Sequence, residues 1–173
     1  ATFPGKNGWG AIIKDSEWKC IRKGKATGKV LGCNTSSILK LVGTEYWPDF
    51  KGTILFLENY VGKPRDVLFK LTQLKLLGVF DQIAGIVVGY VYGLEDPEYI
   101  KKNPQLDVNA KQIKFEDLVM DVVKDYNFPI MKINEIGHRC KNCFLPIGGK
   151  VEMDADALTL NLIEDCVKWI RKF

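Results

Sequence analysis

The stretch Ile54-Leu55-Phe56-Leu57-Glu58-Asn59 joins four apolar residues to an acid. A continuous apolar run of this kind is typical of a strand that is covered on both faces, as in parallel sheets. We therefore predict a buried strand over residues 53–57 that leads directly into Glu58. Functional groups in open α/β sheets gather beyond the carboxyl ends of the strands, so Glu58 is a candidate functional acid, with a solvated carboxylate at a strand end as the alternative.

The segments around this strand alternate between helix and strand. Pro64 begins a predicted helix that ends at Gly78, and residues 83–90 form a second apolar strand. The other predicted elements are two helices and a third, short strand, over residues 34–42, 115–126 and 128–131. This order indicates an α/β domain with a mixed sheet.

Two segments lack a regular pattern. Residues 1–18 are rich in glycine and are predicted to be a linker or loop that precedes a domain over residues 19–173. Residues 93–112 are polar and contain Pro97 and Pro104, so an exposed insertion is predicted there.

Alternating residues predict further strands near both ends of the domain. Residues 19–31, broken by Gly24 and Gly28, are predicted to form a hairpin. A second hairpin is predicted around Gly148-Gly149. Residues 158–163 alternate with the period of a strand, although a helix over residues 157–170 also fits the apolar positions.

His138 is the single histidine of the chain and follows Gly137. Imidazole suits a general base because its pKa normally lies near the working pH. An acid that orients a histidine supplies two of the three parts of a nucleophile triad, so Glu58 and His138 are the predicted catalytic residues. A structural or surface histidine is the alternative.

The third part of a triad is not evident in the sequence. None of the three serines has the strand–turn–helix setting of a nucleophile elbow. Two lie in the first turn of a predicted helix, where hydroxyls usually cap the helix or contact water. These serines are Ser16, Ser36 and Ser37.

Cys140-Lys141-Asn142-Cys143 forms a CxxC pair close to His138. Such a pair can be half of a zinc site or a redox centre. No second CxxC or CxxH accompanies it, and Phe144-Leu145-Pro146 follows where a redox pair would open a helix. We therefore predict two loop cysteines without metal or cofactor, and keep a zinc or redox module on His138, Cys140 and Cys143 as a rival.

Composition limits the classes of partner. The net charge of +4 is scattered among acids, which gives no support for nucleic-acid binding. No segment approaches the 18 continuous apolar residues of a membrane helix, so no membrane is expected. Five irregularly spaced cysteines favour a reducing compartment, and a cytoplasmic location is predicted.

Several segments, in this order, resemble the C-terminal half of the LD-carboxypeptidase family of serine peptidases. They include Gly52-Thr53-Ile54-Leu55-Phe56-Leu57-Glu58 and Ile136-Gly137-His138. The resemblance extends over residues 18–165, and the other matching segments are 28–36, 41–44, 47–49, 78–80, 83–89, 128–130 and 145–148. Within the family the chain is more similar to the microcin C self-immunity branch, through residues 17–20 and Trp47-Pro48-Asp49.

The resemblance implies a Ser–Glu–His triad in a two-domain hydrolase. The serine belongs to an N-terminal domain that this chain lacks, and Glu58 and His138 match the other two members. The chain is then a swivelling β/β/α domain that is inactive alone. A non-catalytic binding module is the alternative.

The resemblance also implies partners. The substrate is a peptide with a free carboxyl terminus, as in murein, or a peptidyl- or aminoacyl-adenylate. Trp18 is the residue expected to stack on an adenine, and a homodimer is expected because family members often form one. Cys33 and Thr35 depart from the usual Gly-Gly-Asn-Leu-Ser run of the family.

Overall fold

The computed structural model describes residues 16–103 and 113–164. The predicted linker therefore lies outside the described residues up to position 15. The described strands are β1 (Lys19–Arg22), β2 (Lys25–Asn34), β3 (Ile54–Glu58), β4 (Gly85–Tyr90), β5 (Ile130–Gly137), β6 (Lys150–Asp154) and β7 (Thr159–Leu162). The described helices are α1 (Thr35–Leu39), α2 (Pro64–Leu76), α3 (Tyr92–Glu95), α4 (Pro97–Lys102) and α5 (Phe115–Val122).

One mixed sheet contains all seven of these strands, in the order β1-β5-β4-β3-β2-β6-β7. Its four central strands, β5, β4, β3 and β2, pair in parallel. The three outer strands pair antiparallel with their neighbours. The predicted α/β class with a mixed sheet is confirmed.

Apolar side chains cover both faces of this sheet. Leu55 and Leu57 lie in a core with apolar residues of α2 and α5, whereas Ile54 and Phe56 lie in a second core on the opposite face. Residues of β6 and β7, such as Met153 and Leu160, belong to that second core. A strand buried on both faces requires a continuous apolar sequence, which explains the run at residues 54–57.

The predicted central strands and their helices exist, but β5 is longer than predicted, since it occupies Ile130–Gly137 and not residues 128–131. Helix α2 begins at Pro64, and Gly78 follows its end with a positive φ of 70°. Helix α1 is capped by Asn34, whose Oδ1 accepts a hydrogen bond of 3.0 Å from the Ser36 backbone N–H. The strand alternative for residues 158–163 is also confirmed, since β7 occupies Thr159–Leu162.

Both predicted hairpins are wrong, although the strands themselves exist. β1 pairs with β5, whereas β2 pairs with β3 and β6. In the strand order, β5, β4 and β3 therefore separate the two strands that flank Gly24. In the hairpin predicted around Gly148-Gly149, residues 144–147 form no strand, and β6 pairs instead with β7 and β2. Local turn residues mark where a strand ends, but distant partners decide where it pairs.

The predicted exposed insertion is wrong in its first part. Helices α3 and α4 occupy part of it, and Leu94 is buried in the core beside α2 and α5. Glu95 binds the buried Lys132 of β5, with 2.5 Å between Oε1 and Nζ, and Lys132 also lies 3.4 Å from Glu116. Long-range ion pairs of this kind leave no periodic pattern in the sequence. The rest of the predicted insertion, residues 104–112, lies outside the described residues.

Among the described residues, no helix is both long enough and apolar enough to cross a membrane.

Strands β2 and β3 approach so closely at Gly32 that a side chain cannot fit between them. A Cβ at Gly32 would lie 2.0 Å from the carbonyl oxygen of Phe56, and the φ of Gly32 is 139°. Gly43 offers a contrast, because its φ is 79° but an added Cβ would meet nothing within 4 Å.

We expect Gly32→Ala to lower the free energy of unfolding by about 3 kcal/mol or more, because it adds a backbone clash to an unfavourable φ. Gly43→Ala adds only the unfavourable φ and should cost about 1 kcal/mol. Urea unfolding of both variants measures the difference, and equal losses would contradict the close approach of β2 and β3.

Candidate functional site

Glu58 is the last residue of β3 and lies at the carboxyl edge of the parallel strands. Its partner in the sheet register is Asn34, the last residue of β2. On the other side, Gly89 of β4 leaves room for the acid, since a Cβ at Gly89 would lie 3.1 Å from the Cβ of Glu58. The Glu58 side chain is 7% exposed, so its carboxylate is enclosed by the ends of three strands.

His138 reaches the same edge from the end of β5. Gly137 pairs with Tyr90 of β4, and a Cβ at Gly137 would lie 2.3 Å from the Tyr90 carbonyl oxygen. Only glycine permits this approach, which then directs the next residue back across the sheet edge. The Asn142 side chain holds the turn by accepting a 3.0 Å hydrogen bond from the Gly137 backbone N–H.

The structure brings the two predicted residues together. The distance between His138 Nδ1 and Glu58 Oε2 is 2.7 Å, which is within the range of a charge-assisted hydrogen bond. An ionised carboxylate only accepts hydrogen bonds, so it selects the tautomer with the proton on Nδ1. The lone pair on Nε2 is then available as a base, and the imidazole is 46% exposed.

Aromatic rings and a guanidinium lie beside the imidazole. The Tyr60 ring is 4.8 Å from the His138 ring and stacks on Tyr92 with centroids 5.8 Å apart. The Arg139 guanidinium carbon lies 5.0 Å from the centre of the Tyr92 ring. None of these three residues was predicted to belong to the site, although Arg139 directly follows His138 and Tyr60 lies two positions after Glu58.

The described serines do not complete the site. Within residues 16–103 and 113–164, no serine hydroxyl forms a hydrogen bond with His138. The Ser16 hydroxyl is buried and forms no hydrogen bond. Ser36 lies in the first turn of α1, where its backbone N–H donates to Asn34 Oδ1. The described part of the chain therefore holds an acid–base pair but offers no nucleophile to it.

The cysteines near His138 have the environment of unreactive thiols. Burial raises the pKa of Cys143 to about 11 and also raises the pKa of Cys140. Redox and metal-binding cysteines usually have a lowered pKa, because the thiolate is the reactive form. In the described ranges, no three His, Cys, Asp or Glu side chains group closely enough to hold a metal ion, and Cys166 lies outside them.

Trp18 occupies a different position from the one expected for a substrate-stacking residue. It is 3% exposed within the second core, and its Nε1 donates a 2.6 Å hydrogen bond to Glu135. A buried indole with a satisfied N–H has no free face for an adenine, so the stacking role expected for Trp18 does not fit its burial.

The family model for the LD-carboxypeptidase C-terminal domain matches residues 27–153. This match covers more than half of the chain and contains both Glu58 and His138. The chain belongs to this family.

Two proteins of known sequence are similar to this LD-carboxypeptidase C-terminal domain. A Synechocystis protein named "putative carboxypeptidase" is 31% identical over 88% of this chain and 46% of its own length. The "probable murein peptide carboxypeptidase" of Bacillus subtilis is 28% identical over 76% of this chain and 38% of its own length. The chain thus spans less than half the length of these relatives.

A solved structure shares the fold. The microcin C7 self-immunity protein MccF, crystallised with aspartyl sulfamoyl adenosine, superimposes with a TM-score of 0.73 at 22% identity. The superposition covers 87% of this LD-carboxypeptidase domain and 42% of the MccF chain.

Glu58→Gln should change the tautomer of the neutral His138 imidazole. The carboxylate favours the proton on Nδ1, whereas an amide can also donate to Nδ1 and so loses this preference. Nitrogen-15 NMR at a pH where imidazole is neutral distinguishes the two tautomers, and a single histidine needs no assignment. Glu152→Gln, at an exposed position of β6, is the control. An unchanged spectrum in Glu58→Gln would show that the two side chains do not meet in solution.

The alkylation rate of Cys143 should depend strongly on pH. With a pKa of about 11, the rate with iodoacetamide should rise about tenfold per pH unit from pH 8 to 10, because only the thiolate reacts. Mass spectrometry of timed samples follows the modified residue, and circular dichroism checks that the protein stays folded. A plateau near pH 8.5, the value of a free thiol, would contradict burial of Cys143.

Proposed function

We propose that this chain supplies the acid and the base of a serine peptidase that cleaves amide bonds next to a free carboxyl terminus. The observation that carries the proposal is the 2.7 Å hydrogen bond between Glu58 and His138 at the carboxyl edge of the sheet. Membership of the LD-carboxypeptidase family and the names of the relatives support this substrate class.

Each residue has a defined role in the proposed reaction. His138 Nε2 accepts the proton of a serine hydroxyl as that oxygen attacks the amide carbonyl, and later donates a proton to the leaving amine. Glu58 keeps the Nδ1 proton in place and stabilises the imidazolium that forms. Burial of Glu58 beside a half-exposed His138 suits this division, since only the base has to reach the substrate.

The serine of this mechanism comes from another domain of the same protein. The chain spans less than half of its relatives, and no described serine bonds to His138. Residues 19–173 are then the C-terminal domain, and the chain alone has no turnover. A homodimer and a cytoplasmic location belong to the same proposal, and the four free cysteines of the described residues fit a reducing compartment.

A peptide is the preferred substrate over a peptidyl-adenylate. Four of five similar proteins are named carboxypeptidases, one of them for murein peptides, and the fifth is the microcin C7 self-immunity protein MccF. The likeness to MccF supports the fold, and the burial of Trp18 gives no support to a stacking contact with an adenine. Turnover of a murein tetrapeptide and of an aminoacyl sulfamoyl adenosine by the intact enzyme compares the two classes.

Glu58→Gln in the intact enzyme should lower kcat by about four orders of magnitude, because the amide no longer fixes the tautomer. His138→Ala should lower kcat by about six orders of magnitude, because the base is lost. Steady-state kinetics on a tetrapeptide measures both effects, with Glu152→Gln as the control. Turnover within tenfold of the unaltered enzyme in either variant would refute the assignment, provided that circular dichroism shows an intact fold.

A further inference from the structure

Arg139 carries a charge that the acid–base pair does not use. Its side chain is exposed, and within the described residues no carboxylate forms an ion pair with it. A guanidinium stays protonated at any physiological pH. A permanent positive charge therefore lies one residue from the predicted base.

The guanidinium is held in place by its surroundings. It lies over the Tyr92 ring at 5.0 Å, and the hydroxyls of Tyr60 and Tyr92 are close enough to raise the pKa of Arg139. A guanidinium has five N–H donors, so contacts with two tyrosine hydroxyls leave donors for a planar anion. Tyr60 contacts both the His138 ring and the Tyr92 ring, so the charge and the base belong to one aromatic cluster.

The backbone of the turn also fixes Arg139. Its φ of 55° lies in the left-handed region, which residues other than glycine rarely adopt. Such conformations persist where the surroundings impose them, and they concentrate at functional sites. The preceding Gly137 is fixed by its contact with Tyr90, and Asn142 closes the turn.

We propose that Arg139 binds the free carboxylate of the residue that leaves when the amide is cleaved. This inference rests on the proposed function, and it names the side chain that makes the enzyme specific for a free carboxyl terminus. In a C-terminal residue the carboxylate carbon is two bonds from the amide nitrogen, roughly 2.5 Å away from standard bond lengths. A group that binds this carboxylate must therefore lie close to the base that protonates the nitrogen, and Arg139 is the cation next to His138 in the chain.

The first test compares two substrates of the intact enzyme, one with a free carboxyl terminus and one with a terminal amide. Arg139→Gln should lower kcat/KM for the free acid about 10- to 100-fold, mainly through KM, and leave the amide within twofold. Arg139→Lys should recover part of the loss, because it keeps the charge but not the bidentate geometry.

Arg65→Gln is the matched control. Arg65 is also exposed and also lies over an aromatic ring, that of Phe69 at 6.0 Å, but it belongs to α2 and not to this cluster. It should leave both substrates unchanged. An equal loss for acid and amide in Arg139→Gln would indicate that Arg139 only positions His138. No loss for either, or a loss confined to a nucleotide-bearing substrate, would also overturn the proposal.

A second test does not depend on turnover. Titration of this 173-residue chain with N-acetylglycine should shift the His138 imidazole signals in a saturable way, and N-acetylglycinamide should not. Arg139→Gln should abolish the shift, whereas Arg65→Gln should retain it. Equal shifts with Arg139→Gln and the unaltered chain would refute carboxylate binding by Arg139. Failure of the proposed hydrolysis would appear separately, in the Glu58 and His138 variants.

Discussion

The hydrogen bond between Glu58 and His138 joins side chains that are 80 residues apart in the sequence. It forms because β3 and β5 run in the same direction and end at the same edge of the sheet. Strand β4 lies between them, and Gly89 leaves the space through which the Glu58 side chain reaches the imidazole. The parallel core therefore serves the site as much as it serves stability.

The acid and the base lie in different environments at this edge of the sheet. Glu58 is enclosed by strand ends, where its interaction with the imidazole is screened less than it would be in water. His138, Tyr60 and Arg139 lie on the open side, where a substrate and a nucleophile can approach. The turn after β5 presents these groups because Gly137 meets the Tyr90 backbone and Arg139 adopts a left-handed conformation. A rigid acid and an accessible base are what triad chemistry requires.

The sequence allowed prediction of the elements whose cause is local. The apolar run at residues 54–57 and Pro64 at a helix start each follow from nearby residues, and each is confirmed. The position of Glu58 at a strand end was predicted in the same way, whereas the strand before His138 was predicted to end at residue 131 and extends to Gly137. The partners of β1 and of β6 were not predicted. β1 pairs with β5, and β6 pairs with β2 and β7, and no local pattern encodes these contacts.

The proposed mechanism requires a serine from outside this chain, which His138 activates. Fluorophosphonate labelling of the intact enzyme, with the adduct mapped by mass spectrometry, tests this requirement. We expect one adduct on a serine beyond these 173 residues, strongly reduced in His138→Ala. An adduct on Ser16, Ser36 or Ser37, or labelling that persists unchanged without the imidazole, would contradict it.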